Sequence, residues 1–289
     1  MTKSNILIQL DPDTHASVFD ALVAVDSADL QLLQYHDVAT EQVEKLVHGA
    51  MFTRGPQDLR HTAVFIGGTD VQQGEALLRA TLRCFFGPLR VSVMLDANGA
   101  NTTAAAAVLA AANHVDLSQC RALVLAGTGS VGQRVGRLLA SQGAVVNLAS
   151  RTAERAVAAA QVISDAVEGS SVSGVMVSDT QQLPNLIDEC DVVVAAGASG
   201  VELLPQEIWQ SSESLKVLVD LNAVAPAGIE GIDVLDTARV VDSKVTYGAI
   251  GVGGLKMKIH KAAVSRLFES NDQVLNVDEI FAIGESLTD

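Results

Sequence analysis

The sequence predicts an α/β protein with mainly parallel sheets in two domains, and three observations predict it. Short apolar runs rich in Val, Ile and Leu alternate with longer helical patterns almost from end to end, the order a parallel sheet covered on both faces requires. A Gly127-x-Gly129-x-x-Gly132 pattern stands where one such run passes into a helix. The 289 residues make one large or two ordinary domains at roughly 150 residues each.

In the first part of the chain, Ile6–Leu10, Leu30–Tyr35, Ala63–Ile66 and Val91–Leu95 read as strands. Helices are expected near Ser17–Val25, Glu41–Ala50 and Gly74–Phe85. The Ala-rich stretch Thr103–Ala112 is a strong helix former, with Asn101 or Thr102 as its N-cap. Its small side chains suit a closely packed spine joining two domains. A second series follows: strand Ala122–Ala126, helix Val131–Gln142, strand Ala144–Ala149 and helix Ala153–Val167. Further strands are expected at Gly174–Val177, Val192–Ala196 and Val217–Leu221. After about Gly248 the pattern is helical again, Leu255–Phe268 and Val277–Ser286, with no new strand series to pack on. These helices are therefore expected to return to the first domain, giving residues 1–112 with 250–289 as one domain and 113–249 as the other.

Composition narrows the partners. Hydrophobic residues are 48% and charged residues 18%, ample for a buried core. A net charge of −15 repels phosphate backbones and anionic lipid, and 3% aromatics are too few for a base-stacking platform. Nucleic acid and membrane surfaces are thus not expected as partners. The 3 cysteines, Cys84, Cys120 and Cys190, are far apart in sequence and lack CxxC spacing, which fits a reducing compartment rather than a disulfide frame or zinc site. The apolar start Ile6-Leu7-Ile8 is too short for a signal-peptide core. Ala104–Ala112 is about half a membrane span, so a cytoplasmic protein is expected.

The glycine pattern carries the first chemistry. It follows the strand Ala122–Ala126 and opens a helix, as in the Rossmann dinucleotide fingerprint. Gly127 makes the turn, Gly129 lets the backbone near a pyrophosphate, and Gly132 lets helix and strand lie close. The amides of Thr128, Ser130 and Val131 would meet the anion at the helix N-terminus. The next strand ends in Ser150-Arg151-Thr152, with no carboxylate to hold a ribose 2′-hydroxyl. Arg151 suits a 2′-phosphate, and Ser150 and Thr152 add hydroxyls, so NADP is expected over NAD. Ala196-Gly197-Ala198 and Asn222 end two later strands on the side where such sheets bind ligands. The alternative for these, and for Asp220, is a tight turn with capping residues.

Two further segments suggest a substrate site. Gly248 to His260 is glycine-rich and then basic as it enters a helix. Gly253 and Leu255 would let a flat ligand approach, and Lys256 would orient it; the alternative is a hinge before a basic helix face. Asp96, Asn98, Asn101, Thr102 and Thr103 form a polar cluster past a strand, at the mouth of the spine helix, where a purely capping role is the alternative. The 6 histidines lack metal-ligand spacing and most are expected at the surface, so no metal site is expected.

Taken together, Ser17-Val-Phe19-Asp20, Thr53-Arg54-Gly55, Phe65-Ile-Gly67-Gly68, the segment Phe85–Ala106, Gly127–Gly132, Gly200–Trp209, Gly228–Asp233 and Gly251–His260 resemble the bacterial NADP-dependent methylene-tetrahydromethanopterin dehydrogenases, a family that also handles methylene-tetrahydrofolate. The resemblance covers nearly the whole chain. It implies oxidation of an N5,N10-methylene bridge to a methenyl cation, with hydride passing to C4 of NADP in one-carbon oxidation from formaldehyde. The two pterin nitrogens share the positive charge and no proton leaves from oxygen, so no general base is needed. It further implies Asp20 and Asp96 as carboxylates that hold or electrostatically support the pterin, Lys256 as its orienting cation, Asn98, Asn101 and Thr102 as further contacts, and a homotrimer. Two other readings stand beside it. A shikimate-dehydrogenase-like oxidoreductase shares the Ser-Arg-Thr signature but needs a Lys-Asp pair in the first domain, where only Lys3 and Lys45 are available. A non-catalytic NADPH sensor would use the nucleotide site alone.

Overall fold

The computed structural model describes residues 3–288. In chain order the first elements are β1 (Asn5–Leu10), α1 (Val18–Ser27), β2 (Leu30–Tyr35), α2 (Thr40–Phe52), β3 (Thr62–Ile66), α3 (Val71–Arg83), β4 (Ser92–Leu95) and α4 (Ala100–Ala112). Then come β5 (Arg121–Leu125), α5 (Ser130–Ser141), β6 (Val145–Ser150), α6 (Ala153–Ala166), β7 (Ser171–Met176), α7 (Leu183–Ile187), β8 (Val192–Ala195), α8 (Gln206–Ser211), β9 (Val217–Asp220), β10 (Arg239–Val241) and β11 (Lys244–Tyr247). The chain ends in α9 (Ala249–Arg266), β12 (Val274–Leu275) and α10 (Val277–Glu285). It divides into two compact units, Met1–Thr102 with Met257–Asp289, and Thr103–Lys256. The chain passes between them within α4 and again within α9.

The first unit is a five-stranded sheet in the order β12-β4-β3-β1-β2, parallel throughout. Read from β2, this is the order 2-1-3-4-5, whose ligand crevice opens where β1 and β3 lie side by side, outside their carboxyl ends. β3 and β4 are buried along their whole length, which is why they read as unbroken apolar runs. Local signals set the helix starts. Ser17 caps α1 by accepting from the Asp20 amide, and Asp70 caps α3 by accepting from the amides of Gln72 and Gln73.

The second unit is a seven-stranded sheet, β10-β11-β9-β8-β5-β6-β7. Six strands are parallel and β10 is antiparallel to β11. The six parallel strands, β7-β6-β5-β8-β9-β11, follow the order 3-2-1-4-5-6, the doubly wound arrangement of dinucleotide-binding domains, with its crevice between β5 and β8. One core layer gathers Leu123, Val193, Leu218 and Trp209, and the Trp209 indole donates to the Glu230 carbonyl at 2.8 Å.

Three expectations are corrected. The spine helix starts at Ala100, so neither Asn101 nor Thr102 is its N-cap; the Asp96 carboxylate accepts from both of their amides. A strand does follow the second series: β12 pairs with β4, and its two residues were too few to show a period. The last long helix starts earlier than the expected Leu255: α9 begins at Ala249, so Gly251, Gly253 and Gly254 lie inside it and Gly248 stands just before it. Two of these glycines are demanded by packing. A Cβ on Gly248 would lie 2.1 Å from the Asp233 carbonyl, and one on Gly251 1.8 Å from that of Asp236. Among the described residues no helix is long and apolar enough to cross a membrane.

Candidate active site

The nucleotide site is built on the reversal of strand order in the second unit. β5 runs into Ala126, whose φ is +53°, and the chain turns through Gly127-Thr128 into Gly129, the N-cap of α5. The Gly127 amide donates to the Ala149 carbonyl at 2.9 Å, tying this turn to β6. Gly132 is needed by packing, since a Cβ there would sit 2.7 Å from the Gly127 Cα. Gly129 is not. Its Cβ would find only ordinary contacts, 3.6 Å to the Ala126 carbonyl and 3.8 Å to that of Ala196. The open space above Gly129 suits a close-lying pyrophosphate on the free amides of the helix start. The residues present therefore fit a dinucleotide.

A groove of about 300 Å³ runs from this turn over the carboxyl ends of β5, β6 and β8. Of the expected cofactor residues, Thr128, Gly129, Ser150, Arg151, Ala196, Gly197 and Ala198 line it. Gly127 lies in the turn before α5, Ser130, Val131 and Gly132 open that helix, and Thr152 is the N-cap of α6. Asn222 has another task. It donates to the Pro226 carbonyl at 3.0 Å and accepts from the Val224 amide at 3.0 Å, closing its own turn. Asp220, 1% exposed, anchors the same loop by accepting from the amides of Asn222 and Ile229, both at 3.0 Å. Burial pushes its carboxyl up, against those hydrogen bonds. Sequence reasoning missed Arg155, which lines the groove with Arg151. Arg151 lies before the Thr152 N-cap of α6 and Arg155 within its first turn, so helix spacing did not announce the pair.

In the first unit the carboxyl ends of β1, β3 and β4 carry a buried polar cluster: Asp11, Asp20, Asp96 and His260. Asp11 holds the β1–α1 loop, accepting from the amides of Asp13 and Ser17, each at 2.9 Å. Asp96 is almost fully committed. One oxygen accepts from the amides of Asn101 and Thr102 at 3.0 Å; the other accepts from the Thr102 hydroxyl at 2.6 Å and meets His260 Nδ1 at 3.1 Å. Asn101 spends its amide on the Leu95 carbonyl at 2.6 Å and on Asn276 at 3.0 Å. Asn98, with φ of +54°, is exposed and pinned by its backbone amide to the Gly68 carbonyl.

Asp20 is different. It is 8% exposed and lies against Gly67, where a Cβ would come within 2.8 Å of its carboxylate. Burial pushes its carboxyl up to about 6, opposed by the His260 ring and reinforced by Asp96. His260, expected at the surface with most other histidines, is 1% exposed. Its Nδ1 is on Asp96, its ring lies 5.6 Å from Phe65, and its Nε2 has no partner among the described residues. Lys256 lies on α9 one helical turn before His260, and Gly253 and Leu255 precede it. A Cβ on Gly253 or Gly254 would meet nothing within 4 Å, so packing within the chain does not require either glycine.

Residues 18–98 match the family model described as methylene-tetrahydromethanopterin dehydrogenase, N-terminal. Residues 108–242 match that of shikimate / quinate 5-dehydrogenase. Two relatives come from Methylorubrum extorquens. One, named bifunctional protein MdtA, is 39% identical over 98% of both chains. The other, named NAD(P)-dependent methylenetetrahydromethanopterin dehydrogenase, is 30% identical over 93% of both. Among solved structures, quinate dehydrogenase from Corynebacterium glutamicum in complex with NAD is similar with a TM-score of 0.53 and 15% identity, covering 98% of this chain and 99% of that one; this likeness speaks for the fold alone.

Proposed function

Since the chain belongs to the methylene-tetrahydromethanopterin dehydrogenase family, we propose that it oxidises methylene-tetrahydromethanopterin to the methenyl form in one-carbon oxidation from formaldehyde. NADP, when bound, supplies the hydride acceptor at nicotinamide C4. The observation that carries the cofactor choice is the end of β6, where Arg151 and Arg155 line the groove and no carboxylate stands. Two guanidiniums there favour a 2′-phosphate over a bare hydroxyl.

The remaining residues divide the work of positioning. Asp20, ionised above about 6, offers a fixed negative charge to the cation that develops as hydride leaves. Asp96 holds the start of α4 and the His260 ring. The Asp96 carboxylate accepts from His260 Nδ1, and Nε2 has no partner among the described residues. Gly253 and Gly254 leave room for a flat ring system on α9, and Lys256 orients it. Hydride transfer needs alignment at roughly 3–3.5 Å more than it needs proton transfer, and no acid–base pair is called for. We take the enzyme to be a cytoplasmic homo-oligomer, a trimer by its resemblance, with tetrahydrofolate as the competing pterin.

The family-model match to shikimate / quinate 5-dehydrogenase spans residues 108–242 and so lies within the second unit. In the first unit Lys3 and Lys45 line a groove with Ile6 and Ile8 of β1 and Leu33 and Tyr35 of β2, and no carboxylate is among the residues that line it. Assays of methylene-tetrahydromethanopterin and methylene-tetrahydrofolate, each with NADP and NAD, test the proposal. Turnover highest with methylene-tetrahydromethanopterin and NADP is expected. Turnover of a hydroxy acid and none of either pterin would overturn it, and tight NADPH binding without any turnover would restore the sensor reading.

A further inference from the structure

His260 is fully buried on α9, yet only one of its ring nitrogens is satisfied. Nδ1 meets the Asp96 carboxylate at 3.1 Å, and Nε2 has no partner among the described residues. The same carboxylate accepts from the amides of Asn101 and Thr102 and from the Thr102 hydroxyl, so it serves the ring as an acceptor and Nδ1 carries a proton. A ring nitrogen left buried and unpaired costs its full desolvation. A leucine would fill the same space without that cost. Packing alone does not account for an imidazole here.

Its place in the fold does. Four elements bring their polar groups together outside the carboxyl ends of the first sheet: Asp11 follows β1, Asp20 stands in the first turn of α1, Asp96 follows β4, and His260 comes from α9. Phe65 of β3 lies between two of them. Its ring centre is 5.6 Å from that of His260, and its edge lies beside Asp20. A Cβ on Gly67 would be 2.8 Å from the Asp20 carboxylate, 3.2 Å from Phe65 Cε1 and 3.7 Å from the Asp11 carboxylate. Asp11 and Asp96 are spent on backbone amides. Of these four side chains, three are carboxylic and only the imidazole can carry a positive charge.

We infer, on the footing of the proposed reaction, that His260 is a positioning residue for the hydride step: oriented by Asp96, it acts through Asp20 and keeps that carboxyl charged for the cation that develops on the pterin. The groups facing Asp20 give the direction. Burial pushes its carboxyl up to about 6; Asp96 and Asp11 push the same way, and the His260 ring and the Ser17 hydroxyl oppose them. Without the ring, Asp20 would be left among carboxylates and would keep its proton to higher pH. No contact with substrate is asked of His260.

Infrared titration of the ligand-free full chain tests this, following the C=O stretch of the protonated Asp20 carboxyl, assigned by its loss in Asp20→Asn. His260→Asn keeps a donor for Asp96 and removes the ring; it should raise the Asp20 midpoint by about one unit with circular dichroism unchanged. For that shift, kcat/KM with methylene-tetrahydromethanopterin and NADP should fall about fivefold at pH 6 and less than about twofold at pH 9, with the KM for NADP unchanged. A second measurement leaves position 260 intact: in the parent, the labelled His260 ring should show a nuclear magnetic resonance shift that follows Asp20 through about 6 and is absent in Asp20→Asn. An unmoved Asp20 midpoint, a ring blind to Asp20, or an equal loss of turnover at every pH would overturn the inference and leave the proposed activity standing. A moved midpoint in a chain that turns over neither pterin would keep the link between His260 and Asp20 and overturn that activity instead.

Discussion

Asp96 and His260 lie 164 positions apart and meet through a 3.1 Å hydrogen bond between two side chains that are both about 1% exposed. The same carboxylate starts α4 by accepting from two amides and a hydroxyl. One residue thus fixes a helix start, a threonine rotamer and a histidine ring.

Removing that carboxylate should be costly. Asp96→Ala loses an N-cap, worth about 0.5–2 kcal/mol, and leaves buried donors unpaired at about 1–3 kcal/mol each. A loss on the order of 3 kcal/mol or more in denaturant unfolding is expected. Asp96→Asn keeps one acceptor oxygen and should lose clearly less. Equal losses for the two variants would mean that the cap is not what Asp96 contributes.

Asp20 should trade stability against activity. Its carboxyl titrates at about 6 in the folded chain against an ordinary 3.8, so between those values the folded state binds a proton that the unfolded state does not. Stability attached to this group is whole below pH 4 and falls as pH rises through about 6. Asp20→Asn should therefore be more stable than the parent at pH 7–8, by on the order of 2–3 kcal/mol for a shift of about two units, with the difference vanishing toward pH 4. Turnover in the oxidative direction should rise with pH through about 6 in the parent and lose that limb in Asp20→Asn. A solvent deuterium isotope effect near unity separates a supporting charge from a general base; a large one would contradict the base-free mechanism.

Gly253 and Gly254 invite the same comparison. Each occupies a helix interior with nothing near its absent side chain, so Gly253→Ala and Gly254→Ala should each stabilise the fold by up to about 1 kcal/mol. If the space is reserved for the pterin, the same changes should lower kcat/KM with pterin at least tenfold and leave NADP binding intact. More stable variants with full turnover would remove the glycines from the substrate site.

The strands and most helices were legible because burial on both faces writes continuous apolar runs and helix-period patterns into the sequence. The nucleotide turn was legible because its glycines answer local sterics. What stayed hidden depends on residues distant in sequence. Nothing near His260 announces a buried ring, since its partner is Asp96 on another element. Nothing near Gly251 shows that the Asp236 carbonyl lies where its Cβ would be, so the helix was expected to start only at Leu255, after the glycines. The β10–β11 hairpin was missed because its turn uses Asp242 and Ser243 at positive φ instead of the usual glycine signal. The Asn222 side chain closes its own turn, the capping alternative that the sequence also offers.

Arg151 and Arg155 should together set the cofactor preference. Both line the nucleotide groove beside the end of β6, and each hydrogen bond to a charged phosphate is worth about 1.5–3 kcal/mol, or roughly 10–150-fold in affinity. Arg151→Ala should raise the KM for NADP by at least tenfold and that for NAD by less than threefold. Arg155→Ala should act in the same direction, and the double variant should bring the two cofactors close to parity. Because both guanidiniums would hold one phosphate, their effects should fall short of additive. Losses that are equal for NADP and NAD would place these arginines outside the 2′-phosphate site, and losses for Arg151 alone would leave Arg155 as an ordinary surface charge. Raising salt should weaken NADP binding in the parent more than in the double variant, because exposed charges are screened within about 10 Å at 0.1 M.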